Sequence, residues 1–192
     1  MLDIVDEMII GGGMAFTFNH VLNGSRIGAS LFDEEGANLV PDILAKAAKN
    51  GVRIHLPTDF VCADKFAEDA NVVTRTEEQG IDDGWLGLDI GPNTIKANAE
   101  VIARSKTVFW NGPQGVFEMQ PFAKGSLSML DNIIAATASG TTSVAGGGDT
   151  VALLKKVKGS AEKLSHVSTG GGASLELVEG KQLPGVVALS DI

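Results

Sequence analysis

Thr141-Thr142-Ser143-Val144-Ala145-Gly146-Gly147-Gly148-Asp149-Thr150-Val151-Ala152-Leu153-Leu154-Lys155-Lys156-Val157 contains a strand, a glycine turn and a helix in succession. Residues 141–145 read as a short strand, the three glycines end it, and residues 150–157 read as a helix. The same order recurs on both sides. Upstream, Met8-Ile9-Ile10 runs into Gly11-Gly12-Gly13 and a helix over residues 15–22. Residues 33–50 have helical spacing at Val40, Ile43, Leu44 and Ala47, with Pro41 marking a break or a fresh first turn. Lys46, Lys49 and Gly51 form the helix stop, and residues 52–56 alternate as a strand bounded by Pro57. Residues 107–110 are a strand, residues 122–139 a helix with Phe122, Met129, Leu130, Ile133 and Ile134 inward, and Gly140 its stop. Downstream, residues 166–168 form a short strand and residues 173–179 a short helix.

The middle of the chain is less decided. Residues 58–63 read as a strand or an extended connection, and residues 64–83 are polar and ambiguous. Residues 85–90 form a strand, and Thr94 is placed as the cap of a helix reaching Arg104, with Ile95, Ala99 and Ile102 on one face. Short apolar strands alternating with helices imply an α/β fold with a mainly parallel sheet and right-handed crossovers. No repeat and no linker-like stretch divides the chain, so it reads as one domain. Leu2 and Val5 look like the tail of a helix already packed on a sheet, and residues 185–192 run out without a final helix. Both ends are therefore expected to be cut.

Composition narrows the function. Gly supplies 24 of 192 residues, against an average near ~7%. With 44% hydrophobic residues and six prolines, neither disorder nor collagen accounts for that excess. A net charge of −9 argues against nucleic-acid binding. The single cysteine, Cys62, excludes a disulfide framework and suits a reducing compartment. The apolar runs are too short for a membrane span, and Asp3, Asp6 and Glu7 are unlike a signal peptide.

Five glycine clusters follow expected strands: residues 11–13, 87–91, 111–115, 146–148 and 170–172. In an open parallel sheet the ligand crevice lies beyond the carboxyl ends of the strands. A rim without side chains there lets backbone approach a base, a ribose or a phosphate. No G-x-x-x-x-G-K-[ST] occurs, and Phe16, Val151 and Leu175 stand where a G-x-G-x-x-G would end. Protein-kinase signatures such as H-R-D are also missing. Two clusters open helices, whose free N–H groups suit phosphate. Asp149 at one of these starts would repel a bare phosphate, which favours Mg²⁺ between them; otherwise it is an N-cap. Asn111 and Glu118 can exchange hydrogen bonds with ribose hydroxyls. His20, His55 and His166 do not cluster, while Trp85, Trp110 and Cys62 read as core.

Met8 to Phe18, Ser30 to Gly36, Trp110 to Glu118, Gly146 to Thr150 and Ser165 to Gly180 closely resemble phosphoglycerate kinase, in that family's order and spacing. The run Ser165-His166-Val167-Ser168-Thr169-Gly170-Gly171-Gly172-Ala173-Ser174-Leu175-Glu176 is the most specific. The resemblance is to the carboxyl-terminal, nucleotide-binding half. It implies a Rossmann-like three-layer sandwich over residues 1–192, incomplete at its amino-terminal edge and at its carboxyl terminus, without the amino-terminal domain. It also implies a monomeric cytoplasmic enzyme of glycolysis that moves the acyl phosphate of 1,3-bisphosphoglycerate to ADP with Mg²⁺, giving ATP and 3-phosphoglycerate.

By that resemblance, Gly12, Gly13, Leu31, Gly87, Leu88 and Val116 would line the adenine slot, and Asn111 and Glu118 would hold the ribose. Asp149 would ligate Mg²⁺, with Thr150 and the amides of Gly147 and Gly148 near the phosphates. Gly170, Gly171 and Gly172 would face the transferred group. The family's lysine-bearing glycine segment and its amino-terminal arginine are absent from these residues, and no glycine cluster here holds Lys or Arg. The chain alone is therefore expected to bind an adenine nucleotide without useful turnover. The alternatives are a non-catalytic nucleotide-binding module and, less favoured, a dinucleotide oxidoreductase.

Overall fold

In the computed structural model, which describes residues 1–168 and 170–189, the first expected strand is β1 (Glu7–Ile9). It pairs in parallel with β2 (Arg53–His55), Met8 opposite Ile54. The described residues group into two compact units, one holding Leu2–Arg104 and Pro113–Asn132, the other Ser105–Gly112 and the described residues from Ile133 onward.

In the first unit, β1 leads through Gly11 into α1 (Gly12–Asn23). The expected break before Pro41 separates α2 (Glu34–Ala37) from α3 (Val40–Asn50). Asp33 caps α2 by accepting the Gly36 N–H at 2.9 Å, Pro41 occupies the first turn of α3, and Gly51 ends α3 at φ 71°. Ile10, Ala15, Phe18 and Val40 form one buried cluster, and Leu2, Ala47 and Val52 another. Residues 2–4 make a turn rather than the tail of a helix. Leu2 is nonetheless buried, so the expected packing is present without the helix.

The ambiguous middle forms an antiparallel sheet in the order β4 (Val72–Thr76), β3 (Asp59–Ala63), β5 (Leu86–Ile90). Its core is Phe16, Phe60, Cys62 and Ile81, with the Phe16 and Phe60 ring centroids 5.1 Å apart and Trp85 half-buried beside them. Helix α4 (Pro92–Arg104) follows. Thr94 lies inside it and does not cap it. The buried side chains are Thr94, Asn98, Val101 and Ile102, so the inward face is rotated from the expected Ile95 and Ala99. A 3-10 turn at Gln120–Phe122 precedes α5 (Lys124–Ala138), so the long expected helix begins later than Phe122. Phe122, fully buried, anchors that turn against Ala63 and Leu88; burying such a ring contributes about 2–3 kcal/mol.

In the second unit, β6 (Thr107–Asn111), β7 (Thr142–Gly146) and β8 (His166–Val167) form a parallel sheet in that order. Trp110 is buried at the end of β6. Ser143 and Ser165 tie β7 to the approach to β8, each hydroxyl accepting the other's backbone N–H at 3.0 and 3.1 Å. Helices α6 (Gly148–Lys156) and α7 (Gly171–Val178) follow β7 and β8. A short α8 (Pro184–Val187) forms where no final helix was expected. The chain is thus α/β as expected: among the described residues, two sheets are parallel and the third is antiparallel. Among the described residues, no helix is long and apolar enough to cross a membrane.

Candidate functional site

Parallel pairing in the second unit brings two glycine turns to one edge. Asn111, the last residue of β6, stands opposite Gly146, the last residue of β7. Both α6 and α7 start there with glycine N-caps, Gly147 and Gly170, and neither has a side-chain cap. Their first N–H groups are therefore left to other acceptors, and a helix start also carries partial positive charge.

The space around these glycines separates two uses. A methyl group added at Gly148 or Gly172 would meet nothing within 4 Å, and at Gly170 only the Ala173 Cβ at 3.8 Å. Among the described residues, the fold leaves those positions open apart from that one contact. At Gly147 the added carbon would lie 2.1 Å from Asn111 Oδ1, and the backbone there has φ 92°. Gly147 is thus required by its own neighbourhood, which holds the Asn111 side chain against the start of α6. Gly171 is the first residue of α7.

Asp149 is exposed in the first turn of α6. Thr150, next to it, is fully buried, and its hydroxyl accepts the Gly112 N–H at 2.8 Å. No group of three or more His, Cys, Asp or Glu among the described residues could hold a metal ion. One exposed carboxylate at an uncapped helix start fits a Mg²⁺ whose remaining ligands are phosphate oxygens and water.

The other expected residues lie in the first unit. Gly13 sits under Leu31, whose Cδ1 would be 2.8 Å from an added carbon, while Leu31 itself is 74% exposed. Gly12 faces the Pro113 carbonyl. Leu88 and Val116 come together: the Val116 N–H donates to the Leu88 carbonyl at 2.8 Å, and both side chains pack in the cluster with Ala63 and Phe122. Gly87 is filled by the chain's own core, an added carbon lying 2.4 Å from the Phe16 ring, and its N–H donates to the Ser30 hydroxyl. Glu118 is exposed.

Two buried carboxylates that order this unit carried no signal in the sequence. Asp59 accepts the N–H groups of Asn93 and Thr94, which is the cap of α4. Asp89 accepts the N–H groups of Ile90 and Gly125, the latter in the first turn of α5. Burial pushes Asp89 up to about 7 against the pull of those two donors. Gly91 lies against Asp59, and Gly115 and Gly125 against Asp89, at distances that exclude a side chain. Part of the glycine excess therefore serves these carboxylates.

Residues 1–181 match the family model described as phosphoglycerate kinase. The chain belongs to the phosphoglycerate kinase family. It is 70% identical to a phosphoglycerate kinase of Sterkiella nova over 192 residues, which is 100% of this chain and 46% of that one. It is 59% identical to phosphoglycerate kinase 2 of Homo sapiens, again over 100% of this chain and 46% of the relative. The solved structure of phosphoglycerate kinase from Coxiella burnetii superposes with a TM-score of 0.89 at 38% identity, covering 97% of this chain and 47% of that one. The chain thus spans about half the length of the relatives it matches.

Proposed function

We propose that this chain is the carboxyl-terminal, nucleotide-binding half of a phosphoglycerate kinase, and that these 192 residues bind ADP or ATP with Mg²⁺ but do not turn them over. The observation that carries this reading is the pair of uncapped helix starts with open space at Gly148, Gly170 and Gly172, beside an exposed Asp149. Close packing accounts for Gly87, Gly91, Gly115 and Gly125, whereas these three meet no contact nearer than 3.8 Å.

On this reading, the amides of Gly147, Gly148 and Gly170–Gly172 serve the phosphates, and Asp149 the Mg²⁺. Asn111 and Glu118 serve the ribose, and Gly12, Gly13, Leu31, Gly87, Leu88 and Val116 the adenine. The complete protein would transfer a phosphoryl group between 1,3-bisphosphoglycerate and ADP as a monomer in the cytoplasm, with the phosphoglycerate bound by an amino-terminal domain. The Mg²⁺ supplies charge neutralisation along the phosphates when bound. Catalysis of such transfers is mostly positioning and charge stabilisation, and the glycine clusters bring amides but no Lys or Arg. That lack of cations also favours a second reading, binding without transfer.

Titration calorimetry tests the assignment. Mg-ADP should bind the unaltered chain, and Asp149→Asn should weaken Mg-ADP more than Mg-free ADP. Equal losses would return Asp149 to a helix-start role, and no binding at all would remove the nucleotide reading. Turnover near the level of a full-length family member in a coupled assay would overturn the predicted incompetence.

A further inference from the structure

The start of α6 and the end of β6 interlock through side chains. Asn111 Oδ1 occupies the space a Gly147 side chain would need, and the Thr150 hydroxyl accepts the Gly112 N–H at 2.8 Å. Gly112 and Gly147 both have positive φ, at 97° and 92°, a backbone that favours glycine at each turn. The register pair Asn111 and Gly146 fixes their height on the sheet. Asn111, Gly148 and Asp149 are exposed around this knot, whereas Thr150 is 0% exposed. A hydroxyl with no exposed surface, already engaged by a backbone donor, is poorly placed to meet a ligand.

We infer that Thr150 is a positioning residue: its hydroxyl binds the Asn111–Gly112 turn to the first turn of α6, so that Asn111 and Asp149 are presented to a nucleotide as one rigid set. This rests on the nucleotide reading above and moves Thr150 from the phosphates to the support behind them. The physical need is for an acceptor oxygen at that atom. Valine keeps the shape and removes the acceptor, leaving the Gly112 N–H without its partner, and serine keeps the acceptor.

The test compares the unaltered 192-residue chain with Thr150→Val, Thr150→Ala and Thr150→Ser. Binding of adenosine and of Mg-ADP is measured by calorimetry, and exchange of the Gly112 amide by NMR. Thr150→Val should weaken both ligands by a similar factor, about tenfold, because adenosine depends on Asn111 as Mg-ADP does. Gly112 should lose protection in that variant, and Thr150→Ser should restore protection and both affinities. Should the valine variant not fold, the alanine variant is read in the same way. A loss confined to Mg-ADP, with adenosine unchanged, would overturn the inference in favour of direct phosphate contact, as would unchanged Gly112 protection. Failure of the unaltered chain to bind either ligand overturns the nucleotide reading itself, and this role with it.

Discussion

Asp59 accepts the backbone N–H of Thr94 at 2.8 Å and its hydroxyl at 2.6 Å, across 35 residues of sequence. The same carboxylate accepts the Asn93 N–H at 2.9 Å, so the free donors of the first turn of α4 end on a strand and not on a residue of the helix. Asp59 is 1% exposed, and water cannot replace it. Asp59→Ala should therefore cost about 2–3 kcal/mol, more than an exposed cap, because buried donors are left unpaired. Urea denaturation measures this; a loss of a few tenths would mean that the helix start is satisfied in another way.

Asp89 gives stability an opposite response to pH from most carboxylates. Its carboxyl is held up at about 7 by burial, against an ordinary value of 3.8. The folded state therefore keeps the proton through a window in which the unfolded chain has released it. The contribution is greatest below pH 3.8 and is lost as pH rises through about 7, by up to about 1.4 kcal/mol per pH unit between the two. Asp89→Asn should flatten the stability–pH curve across that window. Denaturation midpoints from pH 5 to 8 that fall equally in both proteins would refute this.

Glu7 acts with the ordinary sign. The Arg104 guanidinium contributes most, with His55 and Arg53 adding to it, and together they hold the Glu7 carboxyl at about 2 instead of 4.5. A depressed value means stability that is present above pH 4.5 and lost as pH falls through about 2. Arg53 and Arg104 are 67% and 45% exposed, so solvent screens the pairs and the effect is about 1 kcal/mol. Glu7→Gln should lower the melting temperature at pH 7 and leave it nearly unchanged near pH 2. Equal shifts at both pH values would assign the loss to packing.

Glycine substitutions should separate packing from binding. Gly87→Ala drives a methyl group into the Phe16 ring and should cost about 1–3 kcal/mol. Gly148→Ala and Gly172→Ala meet open space inside helices and should be neutral or stabilising by up to about 1 kcal/mol. On the proposed nucleotide reading, the same two changes should weaken Mg-ADP, because the added methyl would stand where that reading brings phosphate to the amides. Thermal melts with calorimetry on all three decide it: destabilisation by Gly148→Ala would place that glycine with the packing set.

Local features of the fold were legible where the signal lies within a few residues. Pro41 and Gly51 bounded α3, and strand–helix alternation gave the α/β class. The turns at Gly146–Gly148 and Gly170–Gly172 were legible too, because a parallel sheet carries such turns to its carboxyl edge. Residues 64–83 were not, since polar alternation on an edge strand such as β4 leaves little apolar pattern to read. Nor was the capping of α4: Thr94 has the right residue type at the right place, but only the fold shows that Asp59 has taken the role.

The sequence by itself determined the α/β class, the glycine excess and the family resemblance, because these depend on residue order and spacing. It could not say which glycine serves the fold and which is left free. That depends on what fills the space beside each Cα, and the nearest atoms come from residues far along the chain: Phe16 at Gly87, Asp59 at Gly91, Asp89 at Gly125. The tertiary structure alone also decided that Asp89 is buried away from any counter-charge and that Thr150 faces Gly112 rather than solvent. Both are properties of packing, and packing is set by contacts that sequence proximity does not encode.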